Sequence, residues 1–293
     1  MGVLNRPSDG LPSVGIAVAR FLAEQGPRTA EEIRLVCDPV GLNKNKDSKV
    51  LQTVTRWLQL GVFMAEGDRV FLSEEPTRRN LFPRNDPLFE TFRWFVLQRV
   101  LNSVVSPVGD SPAGDFLIAA WWLTQVAPEG VRLDSDAAAI QVAAAMFPDR
   151  TVIQNDTRWQ GLLDWSQFLG LGTVLNGCLI PNPLPAVRWV LAEPAFQAEA
   201  PLTAVDFMRT LTAALPIFGD GVAARAAAGF LRPGGDAEAL GRHVSPSLSL
   251  ALLSLEAQGT LQLEGREDTQ SMILLRRLDG TLRRVETITV LRN

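Results

Sequence analysis

Residues 48–73, SKVLQTVTRWLQLGVFMAEGDRVFLS, decide how the rest of the chain is read. Val50, Leu51, Val54, Trp57 and Leu58 recur at three- and four-residue steps, the period of an apolar helix face. Gly61 breaks that pattern, and two short alternating runs follow about Glu66-Gly67-Asp68. Glycine enters left-handed turn conformations without steric cost, so a glycine between alternating runs signals a hairpin. The expectation is a helix halted by glycine and handed directly to a β-ribbon.

Two more helices are expected upstream. Asp9-Gly10 marks a turn, Pro12 suits a first helical turn, and Ile16, Ala19, Leu22 and Ala23 form an apolar face that Gly26 closes. Thr29 stands three residues before Glu32, the spacing of a capping box, and predicts a short helix over 30–37. The polar loop GLNKNKD, residues 41–47, joins it to the helix that begins at Ser48. Three helices and a hairpin in this order are a helix-turn-helix with a wing.

The same order recurs. In the middle, SDAAAIQVAAAMF (135–147) reads as a small-residue helix, and Asn155-Asp156 caps DTRWQGLLDWSQFLGL, with Trp159, Leu162, Leu163, Trp165 and Phe168 at helical spacing. Gly172 is expected to end it, and TVLNGCLIPN supplies two strands about Asn176-Gly177. Near the C-terminus Ser245-Pro246 opens SPSLSLALLSLEAQ, Gly259 ends it, and TLQLEGREDTQSMILLRR (260–277) alternates like two strands around a polar turn. Uneven spacing makes these separate units and excludes a solenoid of fixed period. The expected fold class is α+β, mainly α with short β-hairpins, in tandem winged-helix-like domains at 1–76, 77–186 and 187–293. Apolar helices read in ETFRWFVLQRVL and SPAGDFLIAAWWLTQVA open the middle domain, and IPNPLPAVRWVLAEP (180–194) reads as an irregular extension into the third.

Composition limits function. At 293 residues with 46% apolar and 20% charged residues, the chain has the ordinary globular mix. No apolar run reaches the length needed to span a bilayer and the opening lacks signal-peptide order, so a cytoplasmic location with no membrane partner is expected. Cys37 and Cys178 are far apart, and with a single histidine, His243, neither a disulfide framework nor a zinc site is expected. His243 lies in GRHVSPS with no motif about it, so a Ser-His-Asp or Cys-His arrangement has no support. GDGVAAR (219–225) resembles a dinucleotide loop only superficially, because Ala224 stands at the third glycine position. The expectation is a non-enzyme that needs no cofactor.

Net charge is −4, so DNA contact has to be local. Lys44, Lys46 and Lys49 are the only lysines in the chain. They sit before or at the start of the second of the paired helices, which in a helix-turn-helix enters the major groove. The expected DNA-contacting set is Asn43, Lys44, Asn45, Lys46, Lys49, Gln52, Thr53 and Arg56, with Arg69 on the wing and Arg78, Arg79 and Arg84 extending the footprint. The bland alternative is a solvated loop and helix face. The later units carry less positive charge and more apolar surface, which suits protein contacts. A pure interaction scaffold like the acidic winged-helix partners of chromosome-organising ATPases, a transcriptional regulator and a homo-oligomer stay open.

The opening NRPSDGLPSV (5–14), with the chain length and three-part layout, resembles the DpdG family, most clearly over about the first 75 residues. Members are accessory components encoded beside bacterial machinery that installs 7-deazaguanine bases in DNA, and in phage-defence islands. The resemblance implies a DNA-modification or phage-defence setting, with helicase- or ATPase-bearing subunits as partners. It carries no active-site residues.

Overall fold

A computed structural model describes residues 2–4, 10–38, 48–73, 81–105, 107–126, 152–176, 178–196, 200–230, 243–265 and 272–291. Among them the chain is a mixture of helices and small antiparallel sheets, an α+β arrangement. Its contacts gather into two compact units, Met1–Phe116 with Asp156–Phe168, and Leu117–Asn155 with Leu169–Asn293. No described helix is long and apolar enough to cross a membrane.

In the first unit α1 (Pro12–Gln25), β1 (Arg28–Thr29), α2 (Ala30–Cys37), α3 (Lys49–Gln59), β2 (Phe63–Glu66) and β3 (Arg69–Leu72) follow in order, and the strands form a sheet ordered β1-β3-β2. The capping box at α2 is complete: the Thr29 hydroxyl accepts from the Glu32 amide, and the Glu32 carboxylate accepts from the Thr29 amide at 2.7 Å. Ser48 caps α3, accepting from the Leu51 amide and donating to Asp38 Oδ2 at 2.6 Å, which ties the start of α3 to the end of α2. Trp57 is fully buried beside Phe63, and its Nε1 donates to the Gly10 carbonyl at 3.2 Å.

Two helices complete this unit. In α4 (Glu90–Asn102), Phe92 stacks on Trp57 at 5.9 Å between ring centroids; α6 (Asp156–Phe168) brings Trp165 and Phe168 to the same ring. Asp86 starts α4 by accepting the Glu90 and Thr91 amides at 2.8 Å each. Between them lies α5 (Gly114–Gln125), whose residues from Leu117 onward group with the second unit. Asp115 accepts the Leu4 amide at 2.8 Å; its partial burial pushes the carboxyl above the ordinary aspartate range despite that bond and the one from the Phe116 amide.

The second unit holds the hairpin β4 (Gly172–Leu175) and β5 (Cys178–Pro181), then α7 (Leu184–Leu191), β6 (Leu202–Thr203), α8 (Ala204–Ala214), α9 (Val222–Ala228) and α10 (Pro246–Ala257). It closes with β7 (Leu261–Glu264), β8 (Ile273–Arg276), β9 (Leu282–Val285) and β10 (Thr287–Val290). Gly172 does not end the middle helix: α6 stops at Phe168, Gly170 takes the left-handed conformation at φ 68°, and Gly172 is the first residue of β4. The 180–194 stretch is not an irregular extension, since 184–191 is helical. Pro185 falls in its first turn, where proline costs no hydrogen bond, and Asn182 Oδ1 accepts the Leu184 amide.

The last ribbon also differs from expectation. β7 does not pair with β8; it lies against β10 in a sheet ordered β6-β10-β7, while β8 pairs with β9. The turn that captures β8 is Asp279-Gly280, where the Asp279 carboxylate accepts the Thr281 amide at 2.9 Å and Gly280 sits at φ 80°. Cys37 and Cys178 are free thiols and only half-buried. The helix expected over 135–147 and the Gly177 half of the Asn-Gly turn lie outside the described residues.

Candidate nucleic-acid interface

Which face of α3 reaches solvent is decided by its packing. Val50, Thr53, Val54 and Trp57 form the buried stripe, a 3-1-3 spacing that faces α1 and α2. Leu51 and Leu58, read from the sequence as part of the apolar face, are only half-buried. The helix is thus rotated from the expected setting, and Thr53 lies in the core at 0% exposure, its hydroxyl without a hydrogen-bond partner.

Arg56 is buried as well, at 6% exposure. The Gly10 turn lies on its aliphatic stem, so close that a Cβ on Gly10 would meet Arg56 Cγ at 2.7 Å, and its guanidinium donates to Gln59 Oε1 at 2.8 Å. The segment before α1 therefore covers a side chain that an isolated helix would present to solvent. Thr53 and Arg56, expected in the DNA-contacting set, are buried and do not lie on the solvent face of α3.

Lys49, Thr55 and Gln59 are exposed and Gln52 is half-exposed, at steps of three and four along one side of α3. The whole helix carries no carboxylate. Asn43, Lys44, Asn45 and Lys46 lie outside the described residues, as do Arg78 and Arg79. Arg84 is exposed on the wall of a groove of about 560 Å³ that Arg20, Phe82 and Phe89 also line.

The wing is electrostatically different. Its tip exposes Glu66 and Asp68, and Arg69 pairs across the strands with Glu66 on one side and Thr29 on the other. Thr29's amide and hydroxyl hold the Glu32 carboxyl below the ordinary range, and the Arg28 and Arg69 guanidiniums add to the effect. Arg69 thus sits among carboxylates at the start of α2, whereas Lys49 stands at the far end of the paired helices beside Ser48. The solvent side of α3 is polar with Lys49 as its exposed cation, next to the Asp38 carboxylate that Ser48 holds, and the wing is mixed in charge.

Among the described residues no cluster of three His, Cys, Asp or Glu side chains is placed to hold a metal ion. His243 is exposed and forms an isolated parallel bridge with Leu274.

No curated protein and no solved structure matches this chain. A family model described as DpdG-like matches residues 1–269, a span that takes in the first unit, with its capped α2–α3 pair and the hairpin behind it, and much of the second. The match extends the likeness seen in the opening residues over most of the sequence, and the chain accordingly belongs to the DpdG-like family.

Proposed function

We propose that the chain is a non-enzymatic adaptor subunit of a bacterial DNA-modification or phage-defence complex, and that its first unit is a winged helix touching duplex DNA locally through α3. Family membership supports the association with a DNA-modification system. The element order α1–β1–α2–α3–β2–β3 with its three-stranded sheet supports the winged-helix reading. The tandem arrangement over 1–76, 77–186 and 187–293 is part of the same proposal, supported in the middle by the passage from α6 into the β4–β5 hairpin.

The observation that carries the DNA contact is the solvent face of α3, Lys49, Gln52, Thr55 and Gln59, on a helix free of carboxylates in a chain with 32 acidic residues. Such a face meets a phosphate backbone without repulsion and offers amide and hydroxyl groups to base edges. The contact set is Lys49 and Gln52 together with Asn43, Lys44, Asn45 and Lys46 of the preceding segment; the acidic wing tip stays off the phosphates.

Duplex binding measured across a salt series tests this. Phosphate contacts require affinity to fall steeply with salt. Replacing Lys44, Lys46 and Lys49 by glutamate abolishes binding, and an unchanged affinity refutes this surface.

A second reading, a protein-interaction scaffold, draws on Leu35 and Val36, exposed at 53% and 60% on α2, and on the carboxylates of the wing tip. Under it, partner subunits from the same operon stay bound after the three lysine changes. They also stay bound when duplex DNA is removed by nuclease.

A further inference from the structure

Among the described residues, the hairpin of β8 and β9 in the second unit carries a further group of arginines. Registered pairs Ile273↔Val285 and Leu275↔Arg283 share one face of this ribbon, and Leu274↔Arg284 and Arg276↔Leu282 share the other. Ile273, Leu275 and Val285 are buried on the inner face. Arg283, on that face, spends its charge inward: it makes a two-pronged bond to Glu256 of α10 and donates to the Leu263 carbonyl of β7 at 2.7 Å. The ribbon is therefore clamped to the body of its unit.

Among the described residues the outer face has no such partners. Arg276 and Arg284 are exposed, as is Arg277 at the turn, and none of the three makes an ion pair or side-chain hydrogen bond among the described residues. Arg276 and Arg284 are diagonal neighbours across the strands, about 7–8 Å apart at the backbone. The Asp279 carboxylate, the one acidic group at the turn, is occupied by the Thr281 amide and hydroxyl. Leu278 and Leu282 stand among the arginines at 64% and 50% exposure. In a chain of net charge −4, three exposed guanidiniums on one hairpin, with only the Asp279 charge acting on Arg277 among the described residues, run against the overall balance.

We propose that the outer face of the β8–β9 ribbon, through Arg276, Arg277 and Arg284, is a second contact surface for duplex DNA. A two-stranded ribbon has the width that the major groove admits, and arginine's planar fork matches phosphate oxygens and guanine edges alike. Leu278 and Leu282 meet sugar or thymine-methyl surface beside those contacts. An acidic protein would satisfy the charge but not the match of ribbon width to groove. The surface lies beyond residue 269, where the family match ends, and it stands independently of the α3 proposal.

The test uses the full-length protein and a short fluorescein-labelled duplex of mixed sequence, with anisotropy read over a potassium chloride series. Two to three phosphate contacts contribute a log–log salt slope of about −1.8 to −2.7, or about twelve- to forty-fold in affinity between 50 and 200 mM salt. The triple variant R276Q/R277Q/R284Q is expected to lose that part of the slope while its unfolding midpoint holds, and R276K/R277K/R284K is expected to restore it. If the triple glutamine variant is unstable, R276E alone, at a site with no protein bond to lose, lowers the slope magnitude by about one. An unchanged slope in these variants, or wild-type protein that does not bind duplex, overturns the proposal. Competition by poly-glutamate as effective as that of unlabelled duplex also overturns it, in favour of an acidic protein partner. Loss of binding in the lysine variants alone sinks the ribbon and leaves α3 standing; loss in the arginine variants alone does the reverse.

Discussion

At Gly61 and at Gly259 a helix stops in the same way, yet the strands that follow find different partners. Both glycines are left-handed, at φ 70° and 71°. The bonds repeat as well: Gly61 and Val62 amides donate to Leu58 and Trp57 carbonyls, and Gly259 and Thr260 amides donate to Glu256 and Leu255 carbonyls. This is the two-bond C-cap that satisfies the last carbonyls of a helix. From there the paths separate. The Val62 carbonyl accepts the Ser73 amide at the close of a local hairpin, whereas the Thr260 carbonyl accepts the Leu291 amide at the end of the last strand. A glycine stop thus specifies where a strand begins, while its partner is chosen by what competes for that edge.

In the first unit the two-residue turn Gly67-Asp68 brings β3 to β2 at once, and closing so short a loop costs little entropy. In the second, a similarly cheap closure at Asp279-Gly280 takes β8 for β9 and leaves β7 to the later strand β10. The first sheet joins one local hairpin to β1 from the distant 28–29 stretch, and the second is assembled from three distant pieces.

The difference is most sharply broken through the cores behind each junction. Trp57→Ala removes a fully buried ring that touches Phe63, Phe92, Trp165 and Phe168, and a loss of about 3–5 kcal/mol is expected from urea unfolding. Amide exchange should rise in α3, β2 and β3 together. Ile288→Ala, fully buried in β10, is expected to cost about 2–4 kcal/mol. Its mark is accelerated exchange at residues 202–203 and 261–264, far apart in sequence; acceleration confined to 287–290 would contradict the shared sheet.

Arg283→Ala comes next, at about 1–2 kcal/mol, because its bonds to Glu256 and Leu263 are charge-assisted but its side chain is about a quarter exposed. The β8–β9 amides should lose protection while β7–β10 pairing survives. Gly61→Ala and Gly259→Ala are expected to cost about 1–2 kcal/mol each and nearly equally, since both positions are left-handed with open space around the missing Cβ. Unequal losses, read from paired thermal melts, would mean the two caps are not the same device.

The smallest effect separates the units by pH. The Asp115 carboxyl is raised by partial burial, so the folded state holds its proton more tightly than the unfolded chain does. Its contribution to stability falls as pH rises from about 3.9 through the raised folded value. In Asp115→Asn that decline should be absent, as seen in urea midpoints of the first unit at successive pH values.

Much of the first unit was legible because its signals are local. Pro12, the Thr29–Glu32 box, Ser48 and Gly61 are each a cap or a stop whose chemistry lies within a turn of chain. The Thr203–Asp206 cap of α8 and the Asp279-Gly280 turn are of the same kind and were open to the same reading. The candidate site was less legible. Lys49 and Gln52 lie on the outer side of α3, but Thr53 belongs to the stripe with Val50, Val54 and Trp57, and Arg56 is covered by the turn at Gly10, far from it in sequence.

By itself the sequence determined the starts of α1, α2 and α3, the helix stops at Gly26, Gly61 and Gly259 and the β2–β3 hairpin, because capping, turn geometry and left-handed glycine act over a few residues; the end of α6 and the helix α7 were not carried by such signals. Only the tertiary structure decided which strand lies beside which, which side of α3 faces outward, and that Arg283 is spent inward while Arg276 and Arg284 remain outside. Those outcomes depend on competition between distant segments for one edge or one patch of apolar surface, and no local pattern carries the result of that competition.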